Sequence, residues 1–239
     1  MIIALIRTLL SRLLLLLFMI AYVPVLLVCM CFSQKTLFKS KLFFVVCDFF
    51  YRYMTIFSFL PITFKGKENI PHEPAIYAAN HQSSLDIVLL GQLVKRRPHV
   101  WLATVDLLQS PVLRFVIPRV AVIVDTITPM RATRSLLQVI KIINGDRMNI
   151  MIFPEGGRYS DGAMHEFFSG FVVLAKKTGL PVVPVRFFGL NRAYPRDAFI
   201  VNRVPITVVI GAPMQYQEHE TDDHFKDRIY QWFLEQKED

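Results

Sequence analysis

Cysteine is scarce in this chain of 239 residues: Cys29, Cys31 and Cys47 are the whole complement, and all lie in the apolar amino-terminal part. Neither an even count nor a paired spacing is present, so the sequence implies no disulfide framework and no zinc site. A thiol in such surroundings packs as a small hydrophobe more often than it reacts. The chain also lacks a Gly-x-Ser-x-Gly elbow and a His-Glu-x-x-His signature, which removes two familiar hydrolytic schemes. With no cysteine beyond residue 47, direct transfer assisted by a base is the chemistry left. Internal repeats, low-complexity tracts and long linkers are missing as well.

Acidic residues are in short supply too, 19 against 27 Lys and Arg, for a net charge of +8 and a pI near 9.5. Such a balance invites a polyanion: nucleic acid, an anionic membrane surface or a phosphorylated substrate. No nucleic-acid reading motif is found, and 53% apolar residues is too many for an ordinary soluble nucleic-acid binder. Nucleic acid is therefore not expected as a partner.

What the chain has in quantity is apolar sequence at its start. Residues 13–32, "LLLLLFMIAYVPVLLVCMCF", carry no charge over the length that a helix needs to cross a bilayer core. Arg7 and Arg12 precede this run and Lys35, Lys39 and Lys41 follow it, so the positive-inside rule favours neither orientation. A simple span, a hairpin and a half-inserted helix all fit. A signal peptide is the competing reading, but no small-residue cleavage site is evident. A second apolar stretch, residues 42–64, places Asp48 and Arg52 at helical i, i+4 spacing, where they can neutralise each other; it reads as interfacial or partly buried.

From residue 65 short apolar runs alternate with amphipathic ones, the pattern of an α/β layer fold. Strands are expected at 75–79, 100–104, 120–125, 150–153, 182–188 and 206–211, several of them near-continuously apolar, as strands covered on both faces are. Helices are expected at 131–144, at 170–179 with Gly179 as its C-cap, and after Thr221, with Phe225, Ile229 and Trp232 or Phe233 on one face. The expected organisation is a hydrophobic membrane-associating helical part at 1–64 and an α/β domain at 65–239, with a central mixed sheet flanked by helices.

Two polar stretches follow predicted strands. "NHQSSLD", residues 80–86, sets His81 and Asp86 in a His-x4-Asp spacing. Along a regular helix five residues turn two side chains about 140° apart, but a strand end followed by a loop can fold the aspartate back onto the imidazole. Such a pair fixes the tautomer and leaves the other ring nitrogen as a proton acceptor; a surface histidine beside a helix-capping aspartate is the plainer alternative. "FPEGGRYSDG", residues 153–162, sets a carboxylate, two glycines and Arg158 at a strand exit, where α/β ligand sites lie. Backbone N–H groups near Gly156 and Gly157 can hold an anion, with Arg158 adding a charged fork; an ordinary glycine turn is the alternative.

These stretches resemble the first and third motifs of the glycerolipid acyltransferases typified by 1-acylglycerol-3-phosphate acyltransferase. "LPVVPVRFFG" (180–189) resembles their fourth, and "QSPVLRFVIPRVAVIVD" (109–125) stands in the place of the second. The resemblance covers nearly the whole chain. It implies transfer of a fatty acyl group from acyl-CoA or acyl carrier protein to a lysolipid hydroxyl at a membrane, most simply 1-acylglycerol-3-phosphate to phosphatidic acid, without metal, cofactor or acyl-enzyme; a catalytically silent lipid-binding membrane protein on the same scaffold is the competing reading. His81 would deprotonate the acceptor, Asp86 would orient His81, and Glu155, Gly156 and Arg158 would position glycerol and phosphate. The catalytic domain would face the cytoplasm, with membrane lipids, the lysolipid and a thioester of either coenzyme A or acyl carrier protein as partners.

Departures from the pattern bear on the acceptor. Thr104 and Thr126 stand where the second motif offers a lysine and an arginine, Gly157 replaces a threonine, and Phe168 replaces a lysine. Each lost charge-assisted phosphate bond removes roughly 1.5–3 kcal/mol, so a bare phosphomonoester would bind less well unless other cations substitute. Arg131 and Arg134 are the candidates. A basic helix start facing anionic lipid is the other reading of both.

Overall fold

A computed structural model describes residues 2–125, 127–159, 161–195 and 200–238. The six expected strands are present, and a seventh precedes them: β1 (Ile62–Lys65), β2 (Ile76–Ala79), β3 (His99–Thr104), β4 (Ala121–Val124), β5 (Asn149–Ile152), β6 (Val182–Phe188) and β7 (Ile206–Ile210). They form one mixed sheet in the order β1-β7-β6-β2-β5-β3-β4. The five strands from β6 to β4 run parallel, β7 is antiparallel to β6, and β1 is parallel to β7. In β2, Ile76 and Ala78 face one hydrophobic cluster while Tyr77 and Ala79 face another. Both faces of this strand are covered, which is why its sequence shows no polar alternation.

The helices are α1 (Ile2–Met30), α2 (Gln34–Lys39), α3 (Lys41–Ile56), α4 (Leu85–Val94), α5 (Leu113–Val120), α6 (Pro129–Asp146), α7 (Gly170–Thr178), α8 (Leu190–Ala193) and α9 (Asp222–Glu235). Thr128 caps α6 and Thr221 caps α9 through their side-chain oxygens, and Gly179 closes α7 at φ +68°. On α9 the buried residues are Phe225, Ile229 and Phe233. One face of the sheet carries α6, α7 and α9; the other carries α4 and α8.

The second apolar stretch is more deeply integrated than its sequence suggested. It forms α3 and then β1, and Phe43, Phe44 and Tyr51 are buried. Asp48 is also buried, accepting from Arg52 Nε at 2.9 Å, as the i, i+4 spacing predicted. Tyr51 lies against α4 where a Cβ on Gly91 would stand 2.5 Å from its ring, so only glycine permits this approach.

Among the described residues α1 is the helix long and apolar enough to cross a membrane, over Leu5–Met30. Phe18 on its inner side packs against Phe49, Phe50, Tyr53 and Phe57. Polar contacts tie both of its ends to the same body. Near the start, Arg7 donates to the Val201 carbonyl, Val201 N–H donates to Thr8 Oγ1, and Arg12 Nη2 donates to the Tyr194 hydroxyl at 3.0 Å. Just past its end, Gln34 Nε2 donates to the carbonyls of Ala121 at 2.7 Å and Pro118 at 3.1 Å.

Candidate active site

Strand order brings the two polar stretches together. β2 pairs directly with β5, Ala78 opposite Ile152, so the chain leaving β2 at Asn80 and the chain leaving β5 at Phe153 emerge side by side. Asn80 extends the sheet by one rung: its Nδ2 donates to the Phe187 carbonyl at 3.1 Å, and its Oδ1 accepts from Phe187 N–H at 2.7 Å. This side chain imitates a strand residue and holds the start of the loop against β6.

The loop then turns back on itself. Asp86 sits in the first turn of α4, and its Oδ2 accepts from the backbone N–H of Gln82 and of Ser83, the latter at 2.8 Å. The same oxygen lies 2.8 Å from His81 Nδ1. Because Oδ2 acts as an acceptor throughout, Nδ1 carries the proton, and in the neutral ring Nε2 holds the lone pair. Asp86 is fully buried, while the His81 side chain retains 13% of its surface. Burial pushes the Asp86 carboxyl above the ordinary range, and the hydrogen bonds from His81, Ser83 and Gln82 pull it back. The imidazole lies flat on Phe153, centroids 4.0 Å apart and planes 11° apart.

Behind Phe153 the packing runs to α3. Trp101 stacks on Phe153 at 6.0 Å, and its indole N–H donates to the Tyr51 hydroxyl at 2.9 Å. His99 Nδ1 faces the Arg97 carbonyl at 2.9 Å and therefore bears the proton, which leaves Nε2 to accept from Tyr51 at 2.9 Å. Every polar atom of this buried chain is thus partnered, as burial demands.

Glu155 is buried, and both of its oxygens serve the main chain: Oε1 accepts from His81 N–H at 2.9 Å and Oε2 from His165 N–H at 3.2 Å. Tyr159 N–H donates to the His81 carbonyl at 2.9 Å. The second loop therefore grips the backbone of His81 from both sides. Burial raises the Glu155 carboxyl from 4.5 to about 7, against the lowering effect of those two N–H donors. A carboxyl with a raised folded-state pKa binds its proton more tightly when folded, so its contribution to stability is present at low pH and is lost as pH rises from 4.5 to about 7. Melting temperatures of parent and Glu155→Gln across that window should show the parent's advantage shrinking with pH; a constant difference would remove Glu155 as the titrating group.

Gly156 adopts φ +66°, and a Cβ there would lie 2.6 Å from the Phe168 ring. Gly156→Ala should destabilise the fold by about 1–2 kcal/mol from the left-handed conformation alone, with a steric part on top. Denaturant titration checks this, and Phe168→Ala in the same background should recover only the steric part.

The candidate cations differ in their availability. Arg158 is half-buried, has no ion pair among the described residues, and its buried Nε lacks a hydrogen-bond partner. Arg131, in the first turn of α6, lies 3.3 Å from Asp125, and Arg134 is exposed on the same helix. Thr126 and Ser160 lie outside the described residues. Phe168 presents an exposed ring over Gly156. The sequence reading missed Asn80, Phe153, Tyr159 and His165, the last stacked on Tyr159 at 3.6 Å and paired with Asp161 at 2.9 Å. For Asn80 alone there was a signal, a polar residue directly at a strand's end.

A family model described as acyltransferase matches residues 61–187, more than half of the chain and inclusive of both loops. The chain belongs to the acyltransferase family. The 1-acyl-sn-glycerol-3-phosphate acyltransferase of Limnanthes alba is 32% identical over 171 residues, 71% of this chain and 58% of that protein. The enzyme of the same name from Cocos nucifera is 28% identical over 178 residues, 73% of this chain and 57% of that protein. The chain thus spans a little under three fifths of the length of these curated relatives. The crystal structure of the 1-acyl-sn-glycerophosphate (LPA) acyltransferase PlsC from Thermotoga maritima superposes with a TM-score of 0.74 at 22% identity, covering 98% of this chain and 95% of that one. This acyltransferase chain therefore shares that fold, α1 included.

Proposed function

We propose that this member of the acyltransferase family transfers a fatty acyl group from an acyl thioester to the free hydroxyl of a lysolipid, with 1-acylglycerol-3-phosphate as acceptor and phosphatidic acid as product. The observation that carries this reading is the His81–Asp86 contact at 2.8 Å beside an imidazole with a free Nε2. Nε2 takes the proton of the acceptor hydroxyl while its oxygen attacks the thioester carbonyl. Asp86 holds the ring and offsets the positive charge it gains. As the tetrahedral intermediate collapses the C–S bond breaks, and the imidazolium returns its proton to the departing thiolate. Glu155 acts as a positioning residue through the His81 main chain, and Arg158 with the backbone around Gly156 takes the acceptor's phosphate.

Membrane seating is part of the same reading. Both ends of α1 are fastened to one catalytic body, so α1 lies along that body and enters one leaflet, its outer face of Leu9, Leu13, Leu16 and Ile20 in lipid. In the same reading the catalytic domain faces the cytoplasm, where a soluble thioester of coenzyme A or of acyl carrier protein reaches it. No cofactor is needed.

A second reading keeps the reaction and changes the acceptor to a lysophospholipid whose phosphate is masked. Phe168 favours it, an exposed apolar ring over the anion loop, as does the pairing of Arg131 with Asp125. Reconstituted protein given one labelled acyl thioester and a panel of lyso acceptors separates the two. Preference for the free phosphomonoester supports the first, preference for a phosphodiester supports the second, and no transfer to any lysolipid from either thioester overturns both.

A further inference from the structure

We infer that α5 forms a second lipid-contacting surface, which docks the far edge of the sheet onto an anionic bilayer and thereby fixes the tilt of the catalytic body. The inference rests on the membrane seating of α1 proposed above. An α/β crossover helix normally buries its apolar stripe, yet α5 has no fully buried residue. Val112, just before it, is 69% exposed and Phe115, on its outer side, is 64% exposed. Large apolar side chains grouped on a surface mark a contact site when charged groups rim them.

The rim is basic. Arg114 lies over the Phe115 ring, its guanidinium carbon 4.9 Å from the centroid, so an apolar tip and a cation are presented together, as at lipid interfaces. Segments 31–47 and 105–121 carry Lys35, Lys39, Lys41, Arg114 and Arg119 against Asp106 alone. Basic residues near a membrane surface are attracted to anionic lipid.

The surface is also continuous with α1. The two hydrogen bonds from Gln34 to Pro118 and Ala121 tie the C-terminal end of α5 to the segment that follows α1. Phe32 and Leu42, at either end of that segment, are exposed. A bilayer that receives the outer face of α1 therefore meets α5 where the two join. Lipid is the occupant that this surface favours, because its exposed tips are apolar, its rim is basic and it joins the segment that follows α1.

The test uses the full-length protein in vesicles of phosphatidylcholine with and without phosphatidylglycerol. In Phe115→Trp, the emission remaining after subtraction of the parent, which keeps Trp101 and Trp232, reports on position 115. The expected result is a blue-shifted signal that loses about half of its intensity when the lipids carry brominated chains, more completely in the anionic vesicles. A water-like, unquenched signal from protein still held by the vesicles would overturn the inference. Shielding that arises only when acyl carrier protein is added would overturn it too, and would assign the surface to a protein. This readout needs no turnover, so it stands apart from any failure of the proposed activity. In a second arm Phe115→Asp should lower transfer to a vesicle-embedded acceptor about fivefold and leave transfer to a short-chain, water-soluble acceptor unchanged; equal effects on both would count against the inference.

Discussion

Replacing His81 by alanine is expected to slow acyl transfer by about 10²- to 10⁴-fold while the protein remains folded and membrane-bound. The expectation follows from position more than from residue type. Nε2 is the free basic atom of a ring whose other nitrogen is committed to Asp86 and whose face is fixed by Phe153. Glu155 is no substitute as a base, since it spends both oxygens on backbone N–H groups. The loop itself should survive, because its turn depends on Asn80, on the bonds from Gln82 and Ser83 to Asp86, and on Glu155, none of which needs the imidazole. The measurement is single-turnover transfer in vesicles at saturating thioester, with a thermal melt as control. A purified variant that acylates lysolipids at the parental rate would exclude His81 as the base.

Asp86→Asn should lower kcat by a factor of the order of 10² to 10⁴ with little change in KM. The amide retains the shape of the carboxylate but not its charge, so the imidazolium formed during transfer loses its counter-ion in a fully buried setting. Hydrogen bonding changes less. With the amide oxygen in the place of Oδ2, the contacts to Gln82, Ser83 and His81 can persist, and the amide nitrogen takes the place of Oδ1, which has no hydrogen-bond partner. Asp86→Ala should behave differently. It strands two backbone N–H groups in the interior, at about 1–3 kcal/mol each, and adds a loss of stability to the loss of rate. An Asp86→Asn protein within threefold of the parental kcat would show that the aspartate only shapes the loop.

Much of this was legible along the chain. Four of the six runs read as strands, β6, β2, β5 and β3, lie inside the sheet in its parallel part, where a strand is covered on both faces and reads as continuous apolar sequence. The exception, β1, ran on from the apolar helix before it, and no period change within "SFLPITF" marked the boundary strongly enough to separate them. Helix ends were visible at Thr221, whose side chain caps α9, and at Gly179, whose left-handed backbone closes α7, because capping is a local interaction. The role of α3 was not legible. An apolar helix bound for a membrane and one bound for a core share a composition, and only Tyr51 against Gly91 and Trp101 shows which this is.

By itself the sequence determined the residue types at two strand exits: a histidine and an aspartate five apart, and a carboxylate, two glycines and an arginine further on. It also determined that an uncharged helix of membrane length precedes them. Only the tertiary structure decided that the two exits are neighbours, because the pairing of β2 with β5 joins segments some seventy residues apart and no local signal encodes a strand's partner. It likewise decided that Asp86 reaches Nδ1, that Glu155 holds the His81 backbone, and that Arg131 is paired with Asp125 while Arg158 has no ion pair among the described residues. Those are matters of distance between side chains, and distance is set by packing rather than by order in the chain.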